Sequence, residues 1–204
     1  MNNSGYIPKD ICFDDEGRKK LIKGIATISK AVKSTLGPRG KTVLIESPQH
    51  TNNITITKDG VTVARAIELI DPVENLAIQM MKDAASRTSN AAGDGTTTAI
   101  VLTEAVIIAG ERYIKPEHNV TEVVRYINHY TNKTVAMLKK ESKKISKKKL
   151  LDVAIISANN DKAVGKIIAD AYNKVGKDGV VTVERSQTAE TYAEVTNGIK
   201  INRG

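Results

Sequence analysis

The sequence predicts a mainly helical protein with one small β-hairpin, followed by a mixed α/β segment. Apolar residues recur at helical spacing through most of the first 140 residues. Two short runs rich in β-branched residues, 42–46 and 54–57, interrupt that pattern and predict a pair of strands. The character changes after a lysine-rich run near residue 143, where strand-like and helical runs begin to alternate.

The elements of the helical part follow from their apolar spacing and their end signals. Leu21, Ile25 and Val32 share one face of a first helix over 16–36, which the Gly37-Pro38 pair ends. A polar loop at 47–53 joins the two predicted strands into a hairpin. Four further helices are expected at 61–69, 73–89, 96–109 and 120–138.

The segment after residue 143 predicts both helix and strand. Residues 150–156 form an apolar run, and 163–175 is amphipathic at helical spacing. A Gly-Lys-Asp-Gly turn at 176–179 then precedes Val-Val-Thr-Val-Glu at 180–184, which is typical of a strand. Further strands are expected at 191–196 and 199–202.

Composition places the chain among soluble globular proteins. Its 204 residues are 40% hydrophobic and 26% charged, and no apolar run approaches the length of a membrane span. The first ten residues lack the pattern of a secretory or transit leader. A single cysteine, Cys12, excludes an internal disulfide framework and fits a reducing compartment. We therefore expect a cytoplasmic protein without a membrane partner.

The basic charge leaves one further class of partner open. The net charge is +8 and the pI is about 9.4. Such a charge favours a nucleic acid as a binding partner. Much of the excess is local, because residues 139–149 hold seven lysines and one glutamate. Aromatic content is only 3%, so bases would find few stacking partners. A nucleic acid is therefore not expected as the main partner, but a basic nucleic-acid-binding protein stays an alternative.

The run Gly-Asp-Gly-Thr-Thr-Thr at 93–98 has the chemistry of a phosphate site at a helix start. Glycines let the backbone approach a bulky anion, and the free N–H groups of a first helical turn point at it. A carboxylate at Asp94 would repel phosphates unless it binds Mg²⁺. An ordinary capped turn is the simpler alternative, although three consecutive threonines exceed what a cap needs.

Two other glycine turns, 35–41 and 57–60, could complete such a site. If the three turns converge, they supply backbone donors, a lysine, hydroxyls and two carboxylates, which suits a nucleoside triphosphate with Mg²⁺. The known nucleotide motifs do not match. A Walker A loop would need glycine where Thr35 stands, and neither a Rossmann fingerprint nor the protein-kinase signature is present.

These turns, with two later stretches, resemble the N-terminal portion of the group I chaperonins, the bacterial GroEL type. The matching stretches are 35–40, 56–65, 91–99, 156–159 and 175–184. They occur in the family's order and at nearly its spacing, from about residue 15 to the last residue. The resemblance implies a helical equatorial domain with a small hairpin, followed by an α/β segment of an intermediate domain.

The resemblance also implies which residues hold ATP, and these all lie in the three turns. The residues are Thr35, Leu36, Gly37, Pro38, Lys58, Asp94, Gly95, Thr96, Thr97 and Thr98. By resemblance, residues 35–38 would line the phosphate and base side, and Lys58 would reach the phosphates. Residues 95–98 would cradle the phosphates, and Asp94 would ligate Mg²⁺.

The activity implied by the resemblance is ATP hydrolysis coupled to protein folding. Asp59 would help to orient the attacking water, and catalysis would rest on positioning and on metal neutralisation of charge. Domain movements would then enclose a non-native client protein. The family also implies a co-chaperonin and a homo-oligomeric double ring of fourteen subunits.

The resemblance divides the chain into three parts. Residues 1–142 would belong to the equatorial domain, 143–196 to the intermediate domain, and 197–204 to the start of the apical domain. Family subunits are more than double this length, and their remaining parts include base-binding and catalytic groups. A truncated, catalytically inactive relative that binds nucleotide or joins rings is therefore the second alternative.

Overall fold

The computed structural model describes residues 11–46, 54–176, 179–196 and 198, without the side chain of Lys147. The chain divides into two compact units, 1–123 and 124–204. In the first unit, the elements are α1 (Asp14–Lys33), β1 (Val43–Glu46), β2 (Ile54–Thr57), α2 (Gly60–Ala66), α3 (Pro72–Ala92) and α4 (Thr96–Tyr113). The remaining elements are α5 (Val120–Glu141), which crosses the division, α6 (Lys147–Ser157) and α7 (Lys162–Val175).

Local chemistry explains where the long helices begin and end. Three acidic residues in the first turn of α1 and two lysines in its last turn complement the helix dipole. At the start of α3, the Asp71 carboxylate accepts hydrogen bonds from the Val73 and Glu74 amides, at 2.9 and 3.0 Å. Pro72 follows at the first helical position, and α3 ends at Gly93, whose φ is +72°.

The core of the first unit lies where α1, α3 and α4 pack together. Ile28, Ile78 and Ile100 are fully buried there. Two ion pairs fasten α1 to the start of α3: Lys20 Nζ lies 3.0 Å from Asp71 Oδ2, and Lys23 Nζ lies 2.6 Å from Glu74 Oε1. The start of α4 lies on the same core, because Thr96 and Ile100 in its first two turns are buried.

The hairpin packs one face against this core. Its strands are antiparallel, with Leu44 opposite Ile56 and Ile45 opposite Thr55. Val43 and Ile45 contact the core, whereas Leu44 and Ile56 are exposed. Alternate residues of a β-strand point to opposite faces, which separates these two sets. The pairing of the two strands confirms the sequence prediction of a hairpin. Its loop at 47–53 lies outside the described residues.

In the second unit, α6 and α7 form a helix pair. Gly165 of α7 is buried against Ile155 of α6. The Asp161 carboxylate caps α7 by accepting from the amides of Ala163 and Val164. By contrast, no residue of α5 is buried.

The mainly helical class is confirmed, but the predicted strands after residue 175 do not form among the described residues. Residues 180–184 and 191–196 have no strand assignment, and Val180 and Val183 are 84% and 90% exposed. A β-branched run forms a strand only when another backbone segment pairs with it through hydrogen bonds. No described segment pairs with these residues. The predicted strand at 199–202, and Lys177 and Asp178 of the predicted turn, lie outside the described residues.

Helix ends differ slightly from the predictions. Helix α1 ends at Lys33 rather than near residue 36, and α4 continues to Tyr113 rather than stopping at 109. The apolar run at 150–156 is the body of α6. Among the described residues, no helix combines the length and apolar character that crossing a membrane requires.

Candidate functional site

The turn between α3 and α4 has the backbone geometry of an anion site. Gly93 and Gly95 have φ values of +72° and +84°, a conformation that an L-residue adopts only under strain. Gly95 is the N-cap of α4 and has no side chain with which to cap it. Among the described residues, the amides of Thr96, Thr97 and Thr98 have no acceptor. The helix therefore presents three unbonded N–H groups at its positive end.

Asp94 is exposed beside these amides. One of its oxygens, Oδ1, accepts a hydrogen bond of 2.6 Å from the Gly95 amide. Its other oxygen has no hydrogen-bond partner among the described residues. A free carboxylate oxygen next to unbonded amides has the donor chemistry that would hold Mg²⁺ together with a phosphate, because Mg²⁺ is usually bound by one or two carboxylates plus phosphate oxygens.

The second turn packs directly against the first turn of α4. A Cβ added at Gly60 would overlap the Thr97 hydroxyl and would lie 3.3 Å from Cγ1 of Val32. Glycine is thus required at residue 60 by close approach rather than by its dihedral angles. Gly60 marks the point where the last turn of α1 and the first turns of α2 and α4 meet. The structure therefore brings the 57–60 turn beside residues 96–98.

Asp59 is the N-cap of α2. Its carboxylate accepts hydrogen bonds from the Thr62 hydroxyl, the Thr62 amide and the Val61 amide, at 2.6, 2.9 and 3.3 Å. Partial burial raises the pKa of Asp59, but these three hydrogen bonds outweigh it and hold the pKa below its usual value. The carboxylate is therefore ionised and fixed in place, and both of its oxygens are engaged.

Thr62 was not singled out by the sequence, although a signal was present. Its spacing of three residues from Asp59 is that of an N-cap and its partner in the first turn. Lys58, the neighbour of Asp59, is exposed. Its ammonium group forms no ion pair with a described carboxylate.

The first turn closes on itself after α1. The Lys41 amide donates to the Ser34 carbonyl at 2.7 Å, and the Gly40 amide donates to the Gly37 carbonyl at 2.9 Å. The Thr35 hydroxyl donates to the Val32 carbonyl at 2.8 Å. The resulting loop is compact, and it leaves Leu36, Gly37 and Pro38 exposed. It is linked to the other two turns through Val32, which lies at the end of α1 and contacts the Gly60 position.

An ion pair between an exposed lysine and a buried glutamate holds the end of α1 to the middle of α4. Lys33, in the last turn of α1, pairs with Glu104, which is only 6% exposed. Residue spacing gives no signal of this pair, because the two residues lie on separate helices. A cavity of about 360 Å³ adjoins it and is lined in part by Arg112, but none of the three turns lines that cavity. The pair positions α4. It is separate from the three turns at 35–41, 57–60 and 93–98, which we call the turn cluster.

Comparison with known proteins decides the family. A family model described as the TCP-1/cpn60 chaperonin family matches residues 28–204. The chain belongs to this chaperonin family. The match includes all three turns, so the prediction of a chaperonin N-terminal portion is confirmed at the level of the family.

Solved chaperonin structures are similar to this chain. Chaperonin gp146 from bacteriophage EL, crystallised in the presence of ATP-BeFx, is 26% identical, with TM-scores of 0.68 and 0.69 in two crystal forms. These matches cover 78% and 79% of this chain and 28% of the phage protein. A group III chaperonin in the open state is also 26% identical, with a TM-score of 0.65, covering 81% of this chain and 34% of that one. The chain thus spans about a third or less of these chaperonins.

Proposed function

We propose that this chain is the nucleotide-binding portion of an ATP-dependent chaperone subunit. The observation that carries the proposal is the packing of Gly60 against Thr97, which brings the 57–60 turn to the unbonded amides at the start of α4. Family membership supports a chaperone role. The crystal forms of the phage chaperonin grown with ATP-BeFx support ATP as the ligand.

The residues of the turns take complementary roles in the proposed site. The amides and hydroxyls of 96–98 bind phosphate oxygens, and Lys58 supplies a cation to the same phosphates. Asp94 holds Mg²⁺, which would neutralise charge on the phosphates. Residues 35–38 line the nucleotide from the end of α1.

Asp59 positions the attacking water in the proposed mechanism. Its hydrogen bonds to Val61 and Thr62 fix the carboxylate at the start of α2 and keep it ionised. A carboxylate oxygen can accept a further hydrogen bond from a water molecule, since it has two lone pairs. Hydrolysis by in-line attack would then follow from positioning rather than from covalent catalysis.

The wider assignment follows the family. We propose that residues 1–142 belong to an equatorial domain, 143–196 to an intermediate domain and 197–204 to the start of an apical domain. The subunit would act in the cytoplasm on non-native client proteins, within a homo-oligomeric double ring of fourteen subunits and with a co-chaperonin. Hydrolysis of ATP to ADP and phosphate would drive the folding cycle, and the isomerase-type change would be in the conformation of the client protein.

Titration calorimetry with ATP, with and without Mg²⁺, tests the binding step. Asp94→Asn keeps the size of the side chain and removes its charge, so the Mg²⁺-dependent part of the affinity should fall at least tenfold. Asp152→Asn removes a carboxylate on the exposed side of α6 and is the matched control. Equal Mg-ATP affinity in the two variants would contradict the assignment of Asp94.

Steady-state phosphate release separates the active from the inactive interpretation. If the chain turns over ATP, Asp59→Asn should lower the rate at least tenfold while Mg-ATP affinity changes less. Binding without measurable turnover in the unmodified chain would favour the inactive relative. Failure to bind Mg-ATP at all would contradict the proposed site.

A further inference from the structure

All of the net positive charge of the chain arises from residues 124–149, which we call the basic segment. It contains nine lysines and arginines and a single acidic residue, Glu141. The rest of the chain carries 22 basic and 22 acidic side chains, so it has no net charge. A charge confined to one segment creates a local field for a polyanion rather than a general solubilising charge.

Among the side chains that the structure describes, the cations of this segment are exposed to solvent and have no carboxylate partner. No residue of α5 is buried, and residues 142–146, which lead to α6, are exposed and have no regular structure. Among the described residues, no carboxylate forms an ion pair with any cation of the segment. In the first unit, by contrast, Lys20, Lys23 and Lys33 are each paired across helices.

Helical spacing separates two faces of α5. Val124, Ile127, Val135 and Leu138 share one face, and their successive separations of three, eight and three residues define an apolar stripe. Arg125, His129, Lys133 and Lys140 lie on the other side. A partner that covers the apolar stripe would therefore leave the basic face accessible.

The basic face also carries exposed aromatic rings. Tyr126 and Tyr130 are 64% and 61% exposed. The Lys133 ammonium lies 5.4 Å from the centre of the Tyr130 ring, and the His129 ring meets that ring edge-on at 5.4 Å between centroids. The chain is poor in aromatic residues overall, yet two of its six tyrosines lie on this face.

We propose that the basic segment binds single-stranded nucleic acid. Lysine ammonium groups would contact backbone phosphates and release condensed counterions, while bases would stack on Tyr126 and Tyr130. Lysine is a compact point charge without the fork that reads base edges, so binding would be independent of base sequence. This activity is separate from the proposed nucleotide site.

Two rival partners fit the segment less well. An acidic polypeptide would pair with the lysines but would gain nothing from exposed tyrosines. A membrane surface would take up the apolar stripe, but the densest cations, at 143–149, lie beyond the end of α5, and the tyrosines lie on the basic side. Single-stranded nucleic acid uses both the cations and the rings.

Fluorescence anisotropy of a labelled 20-nucleotide oligo(U), titrated with the 204-residue chain at several salt concentrations, tests the proposal. Replacing Lys139, Lys140, Lys143 and Lys144 together by Gln should weaken binding at least tenfold. It should also lower the slope of log K against log salt by about 3, since each phosphate contact on a single strand contributes about 0.7. The matched control replaces Lys19, Lys30, Lys166 and Lys174 by Gln, which removes the same charge elsewhere and should leave the slope unchanged.

The tyrosines provide a second readout that a purely electrostatic contact would not affect. Tyr130→Ala should weaken oligo(U) binding about fivefold or more, while Tyr130→Phe and the control Tyr172→Ala should retain it. The proposal is overturned if no binding occurs at low salt or if both lysine variants bind alike. It is also overturned if polyglutamate or phosphatidylserine vesicles bind as tightly as oligo(U) with the same lysine dependence. At equal Mg²⁺ concentration and ionic strength, oligo(U) binding should be the same with and without ATP.

Discussion

The turn cluster at the end of α1 and the basic segment at 124–149 both present groups that suit anions, but they hold those groups in different ways. In the cluster, backbone amides and a carboxylate are fixed on helices whose contacts include the fully buried Ile28, Ile78 and Ile100. In the basic segment, the groups are flexible lysines on an exposed helix and linker.

Because of this difference, the same electrostatic attraction to anions is expected to produce two kinds of binding. A preorganised set of amides can distinguish one phosphate geometry from another, because little conformational entropy is lost on binding. Exposed lysines attract any dense anion, and their binding falls steeply with salt. We therefore expect Mg-ATP binding at the cluster to depend much less on salt than oligo(U) binding at the basic segment.

The largest expected effect compares two isoleucines, one from each region. Ile28→Ala leaves a cavity at a fully buried position in α1 and should lower the free energy of unfolding by about 2–5 kcal/mol. Ile127→Ala, at a position 40% exposed on α5, should cost less than about 1 kcal/mol. Urea unfolding followed by circular dichroism measures both. Equal losses would mean that the apolar stripe of α5 is as well packed as the core.

A smaller effect on stability is expected from replacing a glycine by alanine at either of two positions, 60 and 110. Gly60→Ala places a methyl group against Thr97 and should destabilise by about 1–3 kcal/mol through overpacking. It should also weaken Mg-ATP binding at least tenfold, because α2 and α4 must separate. The control is Gly110→Ala within α4, where the new methyl group meets only ordinary contacts. Helix propensity predicts that this control gains about 0.5–1 kcal/mol and keeps its affinity for Mg-ATP.

The smallest expected effect is on the way the free energy of unfolding changes at acid pH. Hydrogen bonds from the Glu74 amide and the Lys20 ammonium, and then the Val73 amide, hold the pKa of Asp71 below its usual value. A lowered folded pKa contributes stability that is present above the unfolded pKa, about 3.9, and is lost as the pH falls through the folded value. Hydrogen bonding raises the pKa of Lys20, so its contribution is lost only at high pH.

Asp71→Asn tests this dependence, because asparagine still caps α3 but carries no charge. Between about pH 5 and pH 2, the free energy of unfolding of this variant should change less than that of the parent chain. The matched control Asp152→Asn should keep the parent's acid sensitivity. If Asp71→Asn also keeps it, the capping carboxylate does not set the pH response of the first unit.

The sequence predicted the helices well because their signals are local. In the structure, Asp71 and Pro72 begin α3 and Gly93 ends it, each through chemistry within a few residues. The strand at 180–184 was predicted wrongly because β-branched side chains specify only a preference. Strand formation needs a distant partner, and no described segment of this chain provides one.

The site could be predicted only in part for the same reason. The residues of the 93–98 turn and the carboxylate of Asp59 were identified from motifs and from the family resemblance. The contact of Gly60 with Thr97, which brings two turns together, joins residues far apart in the sequence. The ion pair of Lys33 and Glu104 is likewise invisible to spacing within a single helix. Tertiary packing supplies both.

Amide hydrogen exchange with and without Mg-ATP is the sharpest test of the proposed nucleotide site, because it locates the nucleotide without altering the protein. We expect slower exchange on adding Mg-ATP at the amides of 95–98 and 58–62, and no change along α5. Slower exchange at those amides should disappear in Asp94→Asn when Mg²⁺ is present at the same concentration. Unchanged exchange at 95–98 under saturating Mg-ATP, or protection confined to the basic segment, would contradict the proposed site.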